Sequence, residues 1–221
     1  MSRPAGRRTD PIERALRDGL RERGDGAGGP HDAAGESLAA AARLSARIAQ
    51  QGLADISYAP ADSPFGTLLV AATRTGLVRL AFPEEDVDAV LEGLARRLSP
   101  RIVRAPAPLE GIRRELEEYF AGRRRHFELK LDWALVGPFA RRVLAVTAEI
   151  PYGGHLSYAE VATDAGSPRG FRAAGNALGS NPIPIVIPCH RVLRSGGSLG
   201  GYGGGIERKR WLLQLEGALP S

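Results

Sequence analysis

The chain has 221 residues, 43% of them hydrophobic, and a net charge of +5. That size and apolar content support one large or two modest globular domains, and the basic balance favours a polyanionic partner. A single cysteine excludes an intramolecular disulfide framework and a cysteine-based zinc cluster, and points to a reducing, cytoplasmic setting.

The opening MSRPAGRR is basic, but no apolar stretch follows it, so it does not read as a secretory signal. RGDGAGGPHDAAG has the composition of a linker. Helices are expected at Pro11–Glu22 and Glu36–Gln51, the latter with Leu38, Ala41, Leu44 and Ile48 at helical spacing. Residues 1–52 are therefore read as a flexible or partly helical extension. The longest apolar runs, TLLVAA and IPIVIP, are too short to span a bilayer, and no membrane association is expected.

From Ile56 the pattern changes to strands broken at Gly66 and Thr75-Gly76. An amphipathic helix follows, with Val87, Val90, Leu91 and Leu94 on one face. RIVRA then reads as a short strand, PLEGIRRELEEYFAG as a second helix and HFELKLDW as another strand. Residues 53–134 make an α/β unit in which no catalytic constellation is visible.

The third region, 135–219, opens on a helix with Phe139, Val143, Val146 and Ile150 facing the core. SYAE has the form of a capping box, with Ser157 as cap and Glu160 reaching back, and a short helix through Ala165 is expected. Ser167-Pro168 is expected to start a second helix, with Phe171, Ala174 and Leu178 facing the core and Gly179 as its stop. Two short helices joined by a Gly/Pro turn form a helix-turn-helix. The other side of the second helix carries Arg172 and Asn176 among Ala173, Gly175 and Ala177. A mid-helix glycine costs about 1 kcal/mol relative to alanine. Gly175 therefore marks either tight helix packing or a small-residue face that enters a nucleic-acid groove.

The lone cysteine lies in IVIPCHRV, directly before His190. Cys189 is either a small buried hydrophobe or a nucleophile activated by that imidazole. In an extended segment neighbouring side chains point to opposite faces, so contact between the two needs a turn or a bridging water. Upstream, the prolines of NPIPIVIP suggest an extended, low-entropy approach to the thiol. A base needs an orienting partner. Glu216, at the end of the predicted helix in GIERKRWLLQLEG, opposes the helix dipole and is either an exposed carboxylate at a frayed end or the partner of His190. Between them SGGSLGGYGGG is a glycine loop, with Tyr202 suited to close over a flat apolar substrate.

Taken together, NPIPIVIPCHRV and GGYGGGIxxKxxLLxxEG resemble the O6-alkylguanine-DNA alkyltransferases, also called methylated-DNA–protein-cysteine methyltransferases. The resemblance covers residues 137–217 most closely. It implies an α+β protein: a ribonuclease-H-like α/β domain at 53–134, then a mainly helical, winged-helix-like helix-turn-helix domain at 135–219 carrying the active site. It implies DNA repair by one irreversible transfer from O6-alkylguanine, and possible O4-alkylthymine activity, to Cys189. In that reading His190 is the base through a water, Glu216 polarises it, and Tyr158 donates to the damaged base. Arg172 fills the gap left by a flipped nucleotide in double-stranded DNA, with Ser157, Ala173, Gly175 and Asn176 as further DNA contacts. Pro184, Val192, Tyr202, Gly203 and Gly204 line the substrate pocket, and Asn181 ties the recognition helix to the active-site turn.

The resemblance implies no metal and no cofactor, and the protein is expected to act as a monomer. Some relatives carry serine where Gly203 stands, and its absence implies a pocket open to bulkier alkyl groups. Nine Arg/Lys against five Asp/Glu in residues 137–221 predict weak, salt-sensitive scanning of DNA. The rival readings are a non-catalytic sensor of alkylated bases and a cysteine hydrolase. The first predicts binding without a covalent product, the second repeated turnover.

Overall fold

The computed structural model describes residues 30–220. The helix expected at Pro11–Glu22 lies outside the described residues. Helix α1, Pro30–Gln50, begins inside the stretch read as linker. Its opening proline is tolerated there because a first-turn N–H has no intrahelical partner. Leu44 and Ile48 are half-buried, whereas Ala41 is exposed.

Strands β1 (Ile56–Ala61), β2 (Leu68–Thr73), β3 (Leu77–Ala81) and β4 (Ile102–Arg104) form a sheet in the order β3-β2-β1-β4. β1 pairs antiparallel with β2 and parallel with β4, and β2 pairs antiparallel with β3. Alternation of side chains along each strand gives the sheet two apolar faces. Ile56, Ala71 and Val78 pack with Leu94 of helix α2 (Val87–Arg97). Ala59, Val70 and Leu80 pack with Leu116 and Tyr119 of helix α3 (Glu110–Phe120). Asp86 caps α2 by accepting the Asp88 amide at 3.0 Å.

Two expectations in this region need correction. Val87 is exposed, and only Leu94, with half-buried Val90 and Leu91, makes the packing face, because the first helical residue reaches neither apolar cluster. HFELKLDW is not a strand but an extended segment with a single parallel bridge between Leu77 and Leu131. A side chain takes a backbone donor that a ladder would use: Glu115 accepts the Glu128 amide at 2.9 Å.

Helix α4, Pro138–Ala148, buries Val143, Leu144 and Thr147, with Phe139 and Val146 half-buried and Ile150 buried just beyond its end. Strand β5 (Leu156–Ser157) pairs parallel with β6 (Val192–Leu193). Helix α5, Tyr158–Asp164, starts on the expected capping box. Ser157 Oγ accepts the Glu160 amide at 3.2 Å, and Glu160 accepts the Ser157 amide at 2.7 Å.

The second helix of the pair, α6, runs from Phe171 to Gly179, three residues later than Ser167-Pro168 would place its start. Ser167 instead closes a turn: its carbonyl accepts the Gly170 amide at 2.7 Å, and its side chain occupies the space a Cβ on Gly170 would need. Gly179 does not stop the helix by a left-handed turn; it stays helical and Ser180 caps. The buried face is Ala174, Ala177 and Leu178, while Phe171 is 48% exposed rather than in the core. Helix α7 spans Ile206–Leu215.

One apolar core joins both parts of the chain. Leu80, Leu116 and Tyr119 belong to the same cluster as Val143, Val161, Leu178, Ile187, Cys189 and Leu212. At about 1.5–3 kcal/mol for each large apolar side chain fully buried, this shared core holds the α/β unit against the helical one. Among the described residues no helix is long and apolar enough to cross a membrane.

Candidate active site

The segment leading to the cysteine is not extended. Residues 182–187 fold into a tight loop in which the Ile187 amide reaches the Ile183 carbonyl at 2.9 Å. Asn181 organises it from within, accepting the Ile183 amide at 3.0 Å and donating Nδ2 to the Ile187 carbonyl at 2.9 Å. Prolines restrict φ but do not prevent such a turn. At its apex Ile185 has φ 74°, which a β-branched residue adopts only under strain, about 1–3 kcal/mol. The second Nδ2 contact of Asn181 is to Sγ of Cys189, at 3.1 Å. Asn181 thus ties the end of α6 to the thiol.

Cys189–Arg191 then form one turn of 3-10 helix. Cys189 is 6% exposed and His190 is fully buried. His190 Nε2 lies 3.0 Å from Oε1 of Glu216. Glu216 is not frayed: it caps α7 and is 5% exposed. Arg191 grips it from the side, with Nε 2.8 Å from Oε2 and Nη2 2.8 Å from Oε1. Burial alone would raise the Glu216 carboxyl, but hydrogen bonds and charge from His190 and Arg191 outweigh it and hold the group at about 2.

An ionised carboxylate only accepts hydrogen bonds, so the Nε2 nitrogen of His190 carries the proton and Nδ1 keeps its lone pair. Nδ1 is buried and has no partner among the described residues. Burial lowers the basicity of His190, against the pull of Glu216, which keeps the ring neutral near pH 7. Burial also pushes the Cys189 thiol up to about 11, opposed by the Asn181 hydrogen bond and the positive charge of Lys209. The resting site is therefore a thiol beside a neutral, oriented imidazole. Such a thiol attacks only when the imidazole takes its proton.

In front of Cys189 lies a cavity of about 470 Å³ whose wall includes Asn181, Pro184, Tyr202, Gly203 and Gly204, together with Phe82 from the α/β unit. The Tyr202 ring stands edge-on to His190, with centroids 6.3 Å apart. Gly204 is a place where only glycine fits: a Cβ there would lie 2.6 Å from the Phe82 ring and 2.7 Å from that of Tyr202. Phe82 in turn stacks under the guanidinium of Arg208, 4.7 Å from its ring centroid. Tyr158 donates its hydroxyl to the Gly201 carbonyl at 3.1 Å, bracing the glycine loop from the other side.

Val192 is not in the cavity wall, contrary to expectation. It is fully buried, paired with Leu156, and its carbonyl accepts Lys209 Nζ at 2.6 Å, because strand β6 turns it into the core. Arg172, Ala173 and Asn176 lie on the exposed side of α6, with Gly175 half-exposed between them and Tyr158. A Cβ on Gly175 would meet only the Tyr158 ring, at 3.8 Å, so packing inside the protein does not require glycine there.

The family descriptions "6-O-methylguanine DNA methyltransferase, DNA binding domain" and "6-O-methylguanine DNA methyltransferase, ribonuclease-like domain" match residues 138–218 and 56–133. A Mycolicibacterium paratuberculosis methylated-DNA–protein-cysteine methyltransferase is 40% identical over 162 residues, covering 73% of this chain and 92% of the relative. The chain belongs to the methylated-DNA–protein-cysteine methyltransferase family. Its fold is accordingly α+β, a ribonuclease-like part followed by a helical DNA-binding part. The constitutive methyltransferase of Bacillus subtilis is 36% identical over 163 residues, covering 72% of this chain and 94% of that protein. The crystal structure of Mycobacterium tuberculosis OGT in complex with DNA superposes with a TM-score of 0.63 at 39% identity, covering 72% of this chain and 92% of that one.

Several residues at this site escape sequence reasoning. Arg191 and Lys209 stand inside the two quoted motifs, so their position was a signal although their roles were not. Lys209 is buried, and burial lowers it to about 8. Phe82 and Tyr119 belong to the α/β unit, where nothing in the local pattern points to the thiol.

Proposed function

We propose that the chain repairs DNA by moving the alkyl group of O6-alkylguanine to Sγ of Cys189, once per molecule. The observation that carries this reading is the buried line Cys189, His190, Glu216 behind an open cavity, with the one free imidazole lone pair at Nδ1. The thiol proton passes through a water molecule to Nδ1, and the thiolate attacks the alkyl carbon. The S–C bond forms as the C–O6 bond breaks, and the electron pair stays on guanine. The Tyr158 hydroxyl, turned away from the Gly201 carbonyl it holds at rest, donates a proton or hydrogen bond to that leaving base, and amides of the Tyr202–Gly204 segment cover O6. Asn181 stabilises the thiolate by its Nδ2–H.

DNA binds along the exposed side of α6. Ala173, Gly175 and Asn176 let the helix lie close in the minor groove, Ser157 flanks them, and Arg172 occupies the space of the flipped nucleotide. Flipping costs a few kcal/mol, which the pocket contacts return. Phe171 joins this surface, since its ring is exposed beside the Arg172 guanidinium, 5.7 Å from its centroid. Residues 53–134 and 135–219 are its two domains, and the protein works as a monomer in the cytoplasm.

Intact-mass measurement tests the reading. After incubation with duplex DNA holding one O6-methylguanine, a gain of one methyl group on Cys189, absent in Cys189→Ser, is expected. Tight binding with unchanged protein mass and an intact lesion would replace it with the sensor reading, and repeated turnover with the hydrolase one.

A further inference from the structure

Glu216 has a third donor, from the other half of the protein. The Tyr119 hydroxyl, on α3, lies 2.6 Å from Oε1 although 97 positions separate the two residues. That oxygen also accepts from His190 Nε2 at 3.0 Å and Arg191 Nη2 at 2.8 Å. Tyr119 is fully buried. Its ring is held independently of the hydroxyl, by Phe127 at 5.2 Å and Tyr152 at 6.2 Å between centroids.

We propose that Tyr119 is a positioning residue for the transfer at Cys189: it fixes the Glu216 carboxylate, and through it the orientation and basicity of His190. The inference rests on the reading of His190 as base. A buried carboxylate exerts its full charge on whatever donors it has, and each further donor shares that charge. With Tyr119 present, less of it falls on His190. Arg191 cannot take over, because Nη1 is committed to the Ile150 carbonyl and its other nitrogens already bind both carboxylate oxygens. The remaining groups around the cluster are Lys209 and the Tyr202 ring near His190, Tyr152 near Glu216, and the Gly153 amide 3.5 Å from Oε2. Burial pushes the Tyr119 hydroxyl well above its usual range, as does the Glu216 charge, so it remains a donor at every working pH.

Removing the hydroxyl has a directional consequence. Glu216 then pulls harder on the imidazolium form of His190, which gains a proton at higher pH and loses its function as base there. The test is single-turnover methyl transfer from an O6-methylguanine duplex by the full chain and by Tyr119→Phe, followed by intact mass between pH 5 and 9. Tyr119→Phe is expected to react about tenfold more slowly at pH 7, with the acid limb of its profile moved to higher pH. A ring-fluorinated tyrosine at 119, a stronger donor, is expected to move that limb the other way. Loss of packing alone would lower thermal stability and leave the limb in place. Identical rates and limbs in all three proteins would overturn the proposal. A wild-type protein that gains no methyl on Cys189 would overturn the transfer reading itself, a separate outcome.

Discussion

Asn181 Nδ2 donates to Sγ of Cys189 at 3.1 Å while the same side chain closes the loop that carries the thiol. One amide thus does two things, shaping a strained turn and stabilising the charge that develops on sulfur. The two effects are separable. Asn181→Ala leaves the buried Ile183 amide unpaired, at about 1–3 kcal/mol, while the Ile187 carbonyl keeps the Cys189 amide at 2.8 Å, and thermal melting should report that loss. Asn181→Asp keeps the acceptor for the Ile183 amide but loses both Nδ2 donors and sets a carboxyl group against sulfur. The transfer rate should fall about 10–100-fold, the worth of a hydrogen bond to a charged group. An unchanged rate for Asn181→Asp would remove the thiolate role.

Acid should destabilise the protein through two buried groups. Glu216 is held at about 2, below its ordinary 4.5, so its contribution is complete above 4.5 and lost as pH falls toward 2. That contribution is on the order of 3 kcal/mol. His190 is lowered from 6.5, so it too binds a proton more readily in the unfolded chain and favours unfolding as pH falls below 6.5. Both signs agree: urea midpoints should rise with pH up to about 6.5. Glu216→Gln should flatten the lower part of that curve while lowering it throughout, because Arg191 loses its partner.

Arg172 should matter for DNA and not for the chemistry of the free base. In Arg172→Ala, transfer from duplex O6-methylguanine is expected to fall about 10–100-fold, the few kcal/mol needed to keep a nucleotide flipped. Transfer from free O6-benzylguanine should be unchanged, since Arg172 is on the exposed side of α6 and does not line the cavity. Equal losses on both substrates would place Arg172 in a structural role.

Gly175→Ala separates stability from binding. A Cβ there makes ordinary contact with the Tyr158 ring, so the helix should gain about 1 kcal/mol and the melting temperature a few degrees. Fluorescence anisotropy on undamaged duplex should nevertheless show weaker binding. A tighter-binding, more stable variant would mean that α6 does not lie against DNA at this position.

Gly203→Ser tests the width of the pocket. Its Cβ would stand 3.2 Å from the Gly179 carbonyl, which requires a shift of a few tenths of an ångström. The expected outcome is a lower ratio of benzyl to methyl transfer, by about 3–10-fold for roughly 1 kcal/mol of lost space. An unchanged ratio would locate the size limit elsewhere in the cavity.

Much of what is carried by neighbours in the chain is legible without the structure. The capping box at Ser157 and Glu160, the helix-turn-helix, the thiol before its imidazole and the glycine loop all depend on residues a few positions apart, where covalent geometry limits the outcomes. Elsewhere side chains override local preference. Asn181 bends a proline-rich segment that read as extended, Glu115 takes an amide that a strand would have used, and Ser167 delays α6 so that Phe171 turns outward. Only the tertiary structure decided that Glu216 is buried against His190 and Arg191 and that Tyr119 and Phe82 of the α/β unit reach the site. Those encounters cross 26 residues in one case and 97 in another. They follow from one apolar core shared by both halves, and no spacing rule along the chain encodes how faces so far apart in sequence will meet.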